Sequence, residues 1–97
     1  MKKGYIVSIY KEIFDQKTLQ EYAKIAKPAL ESAGGKFIAR GNPFTIFEEG
    51  LALRTVIIEF ENVEKAVSAY KSPEYAKALN ILGKSALRDI RIMEGEE

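Results

Sequence analysis

In Arg54-Thr55-Val56-Ile57-Ile58-Glu59-Phe60 the side chains alternate, and Val56, Ile58 and Phe60 form one wholly apolar set. A period of two marks a pleated strand with one face against a core. After Glu61 the period changes. Val63, Ala66, Val67 and Tyr70 recur at steps of three and four, which is one face of a helix. Asn62 stands before them as an N-cap, its side-chain oxygen placed to accept free backbone N–H groups. A second helix start follows at Ser72-Pro73-Glu74: serine caps, proline occupies the first turn without losing a hydrogen bond, and the acid meets the positive end of the dipole. Leu79 and Leu82 carry this helix to Gly83. Asp89 to Met93 reads as the last strand, ahead of the polar tail Glu94-Gly95-Glu96-Glu97.

Upstream of the same stretch, Glu49-Gly50 is the expected turn. Before it, Lys36 to Arg40 and Phe44 to Glu48 read as one strand interrupted at Gly41-Asn42-Pro43, because Pro43 cannot donate to a ladder. Leu19, Tyr22, Ala23, Ala26, Leu30 and Ala33 line one side of a long helix that Asp15 caps and Gly34-Gly35 ends. Pro28 falls inside it and predicts a kink near Lys24. Tyr5, Ile6, Val7, Ile9 and Tyr10 place a buried first strand between Gly4 and Lys11. The order is β-α-β-β-α-β with one extra short helix: an α+β, ferredoxin-like sandwich, as a single domain over residues 1–97. Both helix layers then cover one face of a four-stranded antiparallel sheet and leave the other bare.

Composition narrows function mainly by exclusion. With no cysteine and no histidine, thiol nucleophiles, Cys/His zinc sites and histidine acid–base pairs are absent, and neither a metal nor a cofactor is expected. Fifteen Lys and Arg against fourteen Asp and Glu give a formal charge of +1, which argues against a nucleic-acid partner. No apolar run approaches the roughly 20 residues of a membrane span, and Met1-Lys2-Lys3 is not followed by a signal-peptide core, so a cytoplasmic protein without a membrane partner is expected.

Parity along the strands assigns the two faces of the sheet. The apolar sets place Val7 and Ile9, Phe37 and Ala39, Val56, Ile58 and Phe60, and Ile90 and Ile92 beneath the helices. The bare face then collects Ile6, Ser8, Tyr10, Ile38, Arg40, Thr55, Ile57, Glu59, Asp89, Arg91 and Met93. That face is too apolar to stay wet, and a second copy laid sheet to sheet would cover it. A homodimer is the expected assembly. A two-residue hairpin at Glu49-Gly50 would put Arg40 opposite Glu59 on that face.

The residues also resemble a known family. Lys3-Gly4-Tyr5, the run Gly34-Gly35-Lys36-Phe37-Ile38-Ala39-Arg40-Gly41, Ile58-Glu59-Phe60, and Tyr70-Lys71-Ser72-Pro73-Glu74-Tyr75 are similar to the small bacterial family called domain of unknown function 1330. The resemblance spans nearly the whole chain. It implies the dimeric α/β-barrel superfamily, in which cofactor-independent monooxygenases, muconolactone isomerase-like enzymes and haem proteins carry pockets between sheet and helices or inside the barrel. It implies no particular reaction.

Candidate site residues follow from side-chain chemistry. Arg40 offers a planar fork of donors for a carboxylate or enolate oxygen, or else pairs structurally with Glu59 or Asp89. Glu59 is the candidate catalytic base if burial raises its pKa. Tyr22, with its hydroxyl at the rim, and Tyr75 are explained by core packing or, as the alternative, line a ligand pocket, and Asp89 at the mouth of the last strand is a strand-end or capping acid or else a ligand contact. Ser72 is explained by capping and has no base to activate it as a nucleophile. Two readings of function result. One is a cofactor-independent enzyme acting on a small anionic or carbonyl-bearing metabolite. The other is a non-catalytic homodimer that binds a small anionic ligand or a partner.

Overall fold

The computed structural model describes residues 2–96; Met1 and Glu97, the outermost residues of the basic start and acidic tail, lie outside the described residues. The elements are β1 (Gly4–Ile13), α1 (Gln16–Ser32), β2 (Lys36–Gly41), β3 (Thr55–Phe60), α2 (Val63–Tyr70), α3 (Pro73–Leu82) and β4 (Ala86–Glu94). The strands form one antiparallel sheet in the order β2-β3-β1-β4. This is the ferredoxin-like α+β sandwich that the order of periods dictates.

Each helix starts where its cap residue stands. Asp15 accepts the Thr18 amide at 3.1 Å and the Thr18 hydroxyl at 2.8 Å. Asn62 accepts the Lys65 amide at 2.8 Å, and Ser72 the Tyr75 amide at 3.2 Å. A cap of this kind stabilises its helix by about 1 kcal/mol. The α1 helix runs through Pro28 to Ser32, and Gly34 then turns the chain with φ +99°, a backbone conformation costly for any residue with a Cβ. At Gly4 the requirement is space instead: a Cβ there would strike the Asn62 carbonyl at the start of α2. Glycine lets β1 pass directly beneath that helix.

Register assigns the faces, because residues directly opposite one another share a side. Gly4, Ile6 and Ser8 pair with Phe60, Ile58 and Val56 on β3, and Ile6 and Ser8 pair with Ile92 and Ile90 on β4. The buried core joins Ile6, Tyr10, Val56, Ile58 and Phe60 of the sheet to Leu19, Tyr22, Ala26 and Leu30 of α1 and to Tyr75, Ala78 and Leu82 of α3.

Several expectations need correction. On β1 the parity is reversed: Ile6, Ser8 and Tyr10 face the helices, and Val7 and Ile9 face the bare side. Apolarity misleads here because both faces of β1 are apolar and the inward set carries a hydroxyl and a phenol for a cavity. On β2 a register shift between Phe37 and Ala39 leaves Ile38 unpaired. An inserted residue flips the side chains that follow it. Arg40 therefore lies opposite Val56 on the helix side, while Ala39 pairs with Ile57 on the bare side. Glu59 pairs with Lys36, so the expected Arg40–Glu59 pair does not exist. Phe44 to Glu48 is not a strand: residues 42–54 form a long loop, its turn closed by the Gly50 amide donating to the Phe47 carbonyl at 2.9 Å. Finally, β4 begins at Ala86, three residues earlier than expected.

Candidate functional site

Three rows of side chains cross the inner surface of the sheet. In the first, Tyr10 is flanked by Arg54, whose carbonyl accepts the Tyr10 amide at 2.9 Å, and by Arg88 on β4. The second runs Arg40, Val56, Ser8, Ile90, and the third Phe37, Ile58, Ile6, Ile92. The floor therefore grades from cationic to apolar along the strands. Above it, α1 and Tyr75 of α3 enclose a cavity of about 60 Å³. It adjoins an outer vestibule of about 320 Å³, which shares Leu19, Ala23, Arg40 and Arg54 and adds Gln16, Gln20 and Asn42. The vestibule alone reaches the size range of ordinary ligand sites.

Arg88 is the unusual feature. Its Nη1 donates to the Tyr22 hydroxyl at 2.9 Å and, at 3.4 Å, to the Tyr75 hydroxyl. Its guanidinium carbon stands 5.7 Å from the centre of the Tyr10 ring and 5.1 Å from that of Tyr22. The two phenols also bond each other at 2.5 Å. Burial works against the charge, but the neighbouring tyrosines outweigh it and hold the Arg88 pKa above its ordinary value. Burial, reinforced by Tyr75 and opposed by Arg88, pushes the Tyr22 phenol far above its usual range. At neutral pH the cluster is thus one cation beside a phenol fixed in its neutral form. Among the described residues Arg88 forms no ion pair, and its Nε and Nη2 have no partner. That edge is the planar fork that fits a carboxylate.

The charge around the cavity is of one sign. Among the described residues Lys27, Arg40, Arg54 and Arg88 line it, and no Asp or Glu does. Lys27 leans its ammonium over Phe37, 5.7 Å from the ring centre. The Ser8 hydroxyl, buried in the floor, has no hydrogen-bond partner. A buried hydroxyl without a partner costs about 1–3 kcal/mol, so it is a place where an occupant gains a bond.

The structure brings Tyr22, Tyr75 and Arg40 to this cavity and its mouth. It places Glu59 and Asp89 on the opposite side of the sheet. Glu59 accepts from the Tyr5 hydroxyl at 3.4 Å. Asp89 is held by Arg91 through two bonds of 2.9 and 3.1 Å, which draw its pKa below the usual carboxylate range. Neither acid lines the cavity. Arg88, Arg54 and Ser8 escape the sequence reading. The signal for Arg88 is present: it shares the parity of Ile90 and Ile92 once β4 is extended toward its N-terminus.

The family profile for a domain of unknown function, DUF1330, matches residues 3–96. The chain belongs to the DUF1330 family. No curated protein is significantly similar in sequence. Solved structures share the fold at low identity. A protein of unknown function from Rhodopseudomonas palustris is 15% identical with a TM-score of 0.71, over 99% of this chain and 82% of that one. SnoaB, a cofactor-independent oxygenase from Streptomyces nogalater, is 9% identical with a TM-score of 0.68, over 100% and 96%. A dimeric ferredoxin-like protein of unknown function from Thermobifida fusca is 11% identical with a TM-score of 0.63, over 99% and 92%. No helix of the described residues is long and apolar enough to cross a membrane.

Proposed function

We propose that this DUF1330 chain is a homodimeric small-molecule pocket protein whose cavity, between sheet and helices, takes an anion with an apolar body. The observation that carries the reading is Arg88: a largely enclosed guanidinium with two donor positions open and, among the described residues, no carboxylate to neutralise it. Buried charge without a counter-charge is expensive, and a bound carboxylate supplies both the charge and a planar match to the fork. Tyr22 and Tyr75 hold the guanidinium in place, while Ile6, Val56, Ile58 and Leu30 accept the apolar part. Arg40 draws the anion in at the mouth. Glu59 and Asp89, on the other face, serve the dimer contact instead.

The dimer is supported by what that face presents. Val7, Ile9, Ile57, Ala39 and Met93 give it an apolar centre, and the Asp89–Arg91 ion pair and the cross-strand neighbours Lys36 and Glu59 give it charges of both signs. Two copies related by a two-fold axis would bury one such face against another. The Thermobifida fusca relative, described as dimeric, is consistent with this arrangement.

A catalytic version of the same site is favoured by the convergence of Arg88 and two phenols. Such donors would stabilise the oxyanion of an enolate derived from a carbonyl acid. With no carboxylate lining the cavity, the proton would leave to water. Thermal melts of the protein with benzoate, butyrate and the uncharged butyramide, at constant ionic strength, test the binding reading. The acids should raise Tm and the amide should not. Equal shifts for acid and amide would defeat it. Deuterium incorporation into the methyl group of pyruvate, followed by NMR, separates turnover from binding.

A further inference from the structure

Cationic groups at the cavity are divided between two places. Arg88 and Lys27, the latter leaning over Phe37, line the inner chamber alone, whereas Arg54 and Arg40 line both the chamber and the vestibule. Arg54 and Arg88 flank Tyr10 from the two neighbouring strands. Two strand spacings separate their backbones by about 10 Å. Arg88 is tied toward the helices by its bonds to Tyr22 and Tyr75, so it is not free to swing toward the mouth. A single carboxylate on Arg88 therefore leaves Arg54 half-buried with no counter-charge among the described residues. Ser8, on the strand between these two poles, keeps its buried hydroxyl without a partner, which marks the space between them as built for an occupant rather than for dry packing.

We infer that the pocket selects a short dicarboxylate, one carboxylate seated on the Nε/Nη2 fork of Arg88 and the other on Arg54 at the mouth, with Arg40 beside it. This rests on the anion-pocket reading above and narrows it to a dianion with its charges at opposite ends. Monocarboxylates fill the inner half of the site only.

Calorimetric titration of the intact protein with length-matched pairs, glutarate against pentanoate and adipate against hexanoate, tests this. In at least one pair the diacid should bind about tenfold more tightly, since a second charge-assisted contact is worth a step of that order. Arg54→Met should remove most of the diacid's advantage, weakening the diacid about tenfold and the monoacid by no more than about threefold, and Arg54→Lys should restore most of the preference. Equal affinity within both pairs would overturn the inference and leave the anion pocket standing. So would an Arg54→Met protein in which both acids weaken alike. Inorganic phosphate binding as tightly as the better diacid would also overturn it, by showing that the arginines converge on one group. No binding of any acid by the unmodified protein would instead bring down the anion-pocket reading itself.

Discussion

Replacing Arg88 by Met separates a ligand anchor from a structural cation. The side chain is enclosed by the rings of Tyr10 and Tyr22 and by two hydroxyls, and methionine can fill that space without a charge. The losses can be estimated. One good hydrogen bond to a charged donor is worth about 1.5–3 kcal/mol, and the second, at 3.4 Å, is too long to add much. Two cation–π contacts add about 1–2 kcal/mol. Against this, removing a guanidinium from a mostly enclosed site returns a desolvation cost of several kcal/mol. The phenols are not orphaned, because Tyr22 and Tyr75 still bond each other. The net change in unfolding free energy should lie within about 1.5 kcal/mol of zero, the difference between these opposing sums. Carboxylate affinity should meanwhile fall about 100-fold, the value of two charge-assisted bonds at the fork. Urea denaturation gives the first quantity and calorimetric titration with benzoate the second. A stability loss above about 3 kcal/mol with unchanged carboxylate affinity would refute the reasoning, because Arg88 would then be a structural strut.

Three further outcomes are expected. Tyr22 has a folded pKa raised above the roughly 10 of an unfolded tyrosine, so its contribution is fully present below pH 10 and is lost as pH rises from there toward the folded value; Tyr22→Phe should flatten the fall in Tm between pH 9 and pH 11. Ile57→Glu places a charge at the centre of the bare face and should convert dimers to monomers in light scattering, with carboxylate binding retained. Glu59→Gln should leave carboxylate affinity within twofold of the parent in titration calorimetry, because its side chain lies across the sheet from the cavity.

The fold was legible because its signals are local and redundant. Asp15, Asn62 and Ser72 each announce a helix, and Val56, Ile58 and Phe60 alternate without ambiguity against a buried face. The site was legible only in part. Tyr22 falls on a helix face whose period is unmistakable, but no local pattern announces that its hydroxyl meets that of Tyr75, 53 residues away. Strand parity predicts Arg40 on the bare face, and a single bulged residue, Ile38, which no local pattern marks, turns it to the helix side. The β1 strand was inverted for a different reason. Choosing the more apolar set as the inward one assumes that the core is the greasier face, and a cavity with a serine and a tyrosine in its floor breaks that assumption. Arg88 lay outside the expected strand because a strand end next to a polar cavity carries a charge where a packed core would carry an aliphatic residue.

The loop of residues 42–54 shows the same limit. Phe44, Ile46 and Phe47 read as strand by composition, yet they are exposed, Phe44 completely. The ladder between β2 and β3 ends at the Gly41–Thr55 pair, so the apolar run beyond Gly41 has no β3 residue opposite it. Strand propensity reports fitness for a pleated, half-buried surface, and a segment with no strand opposite it cannot use it.

Arg88, inside the cavity between helices and sheet, is the seat expected for the anion. A crystal grown with 4-bromobenzoate reports on it through anomalous scattering from bromine. The expected result is a bromine peak in the cavity or its vestibule, with the carboxylate within hydrogen-bond distance of the Nε and Nη2 of Arg88. A compound bound instead beside Arg91 on the bare face, or a cavity without the compound at a saturating concentration, would contradict the account.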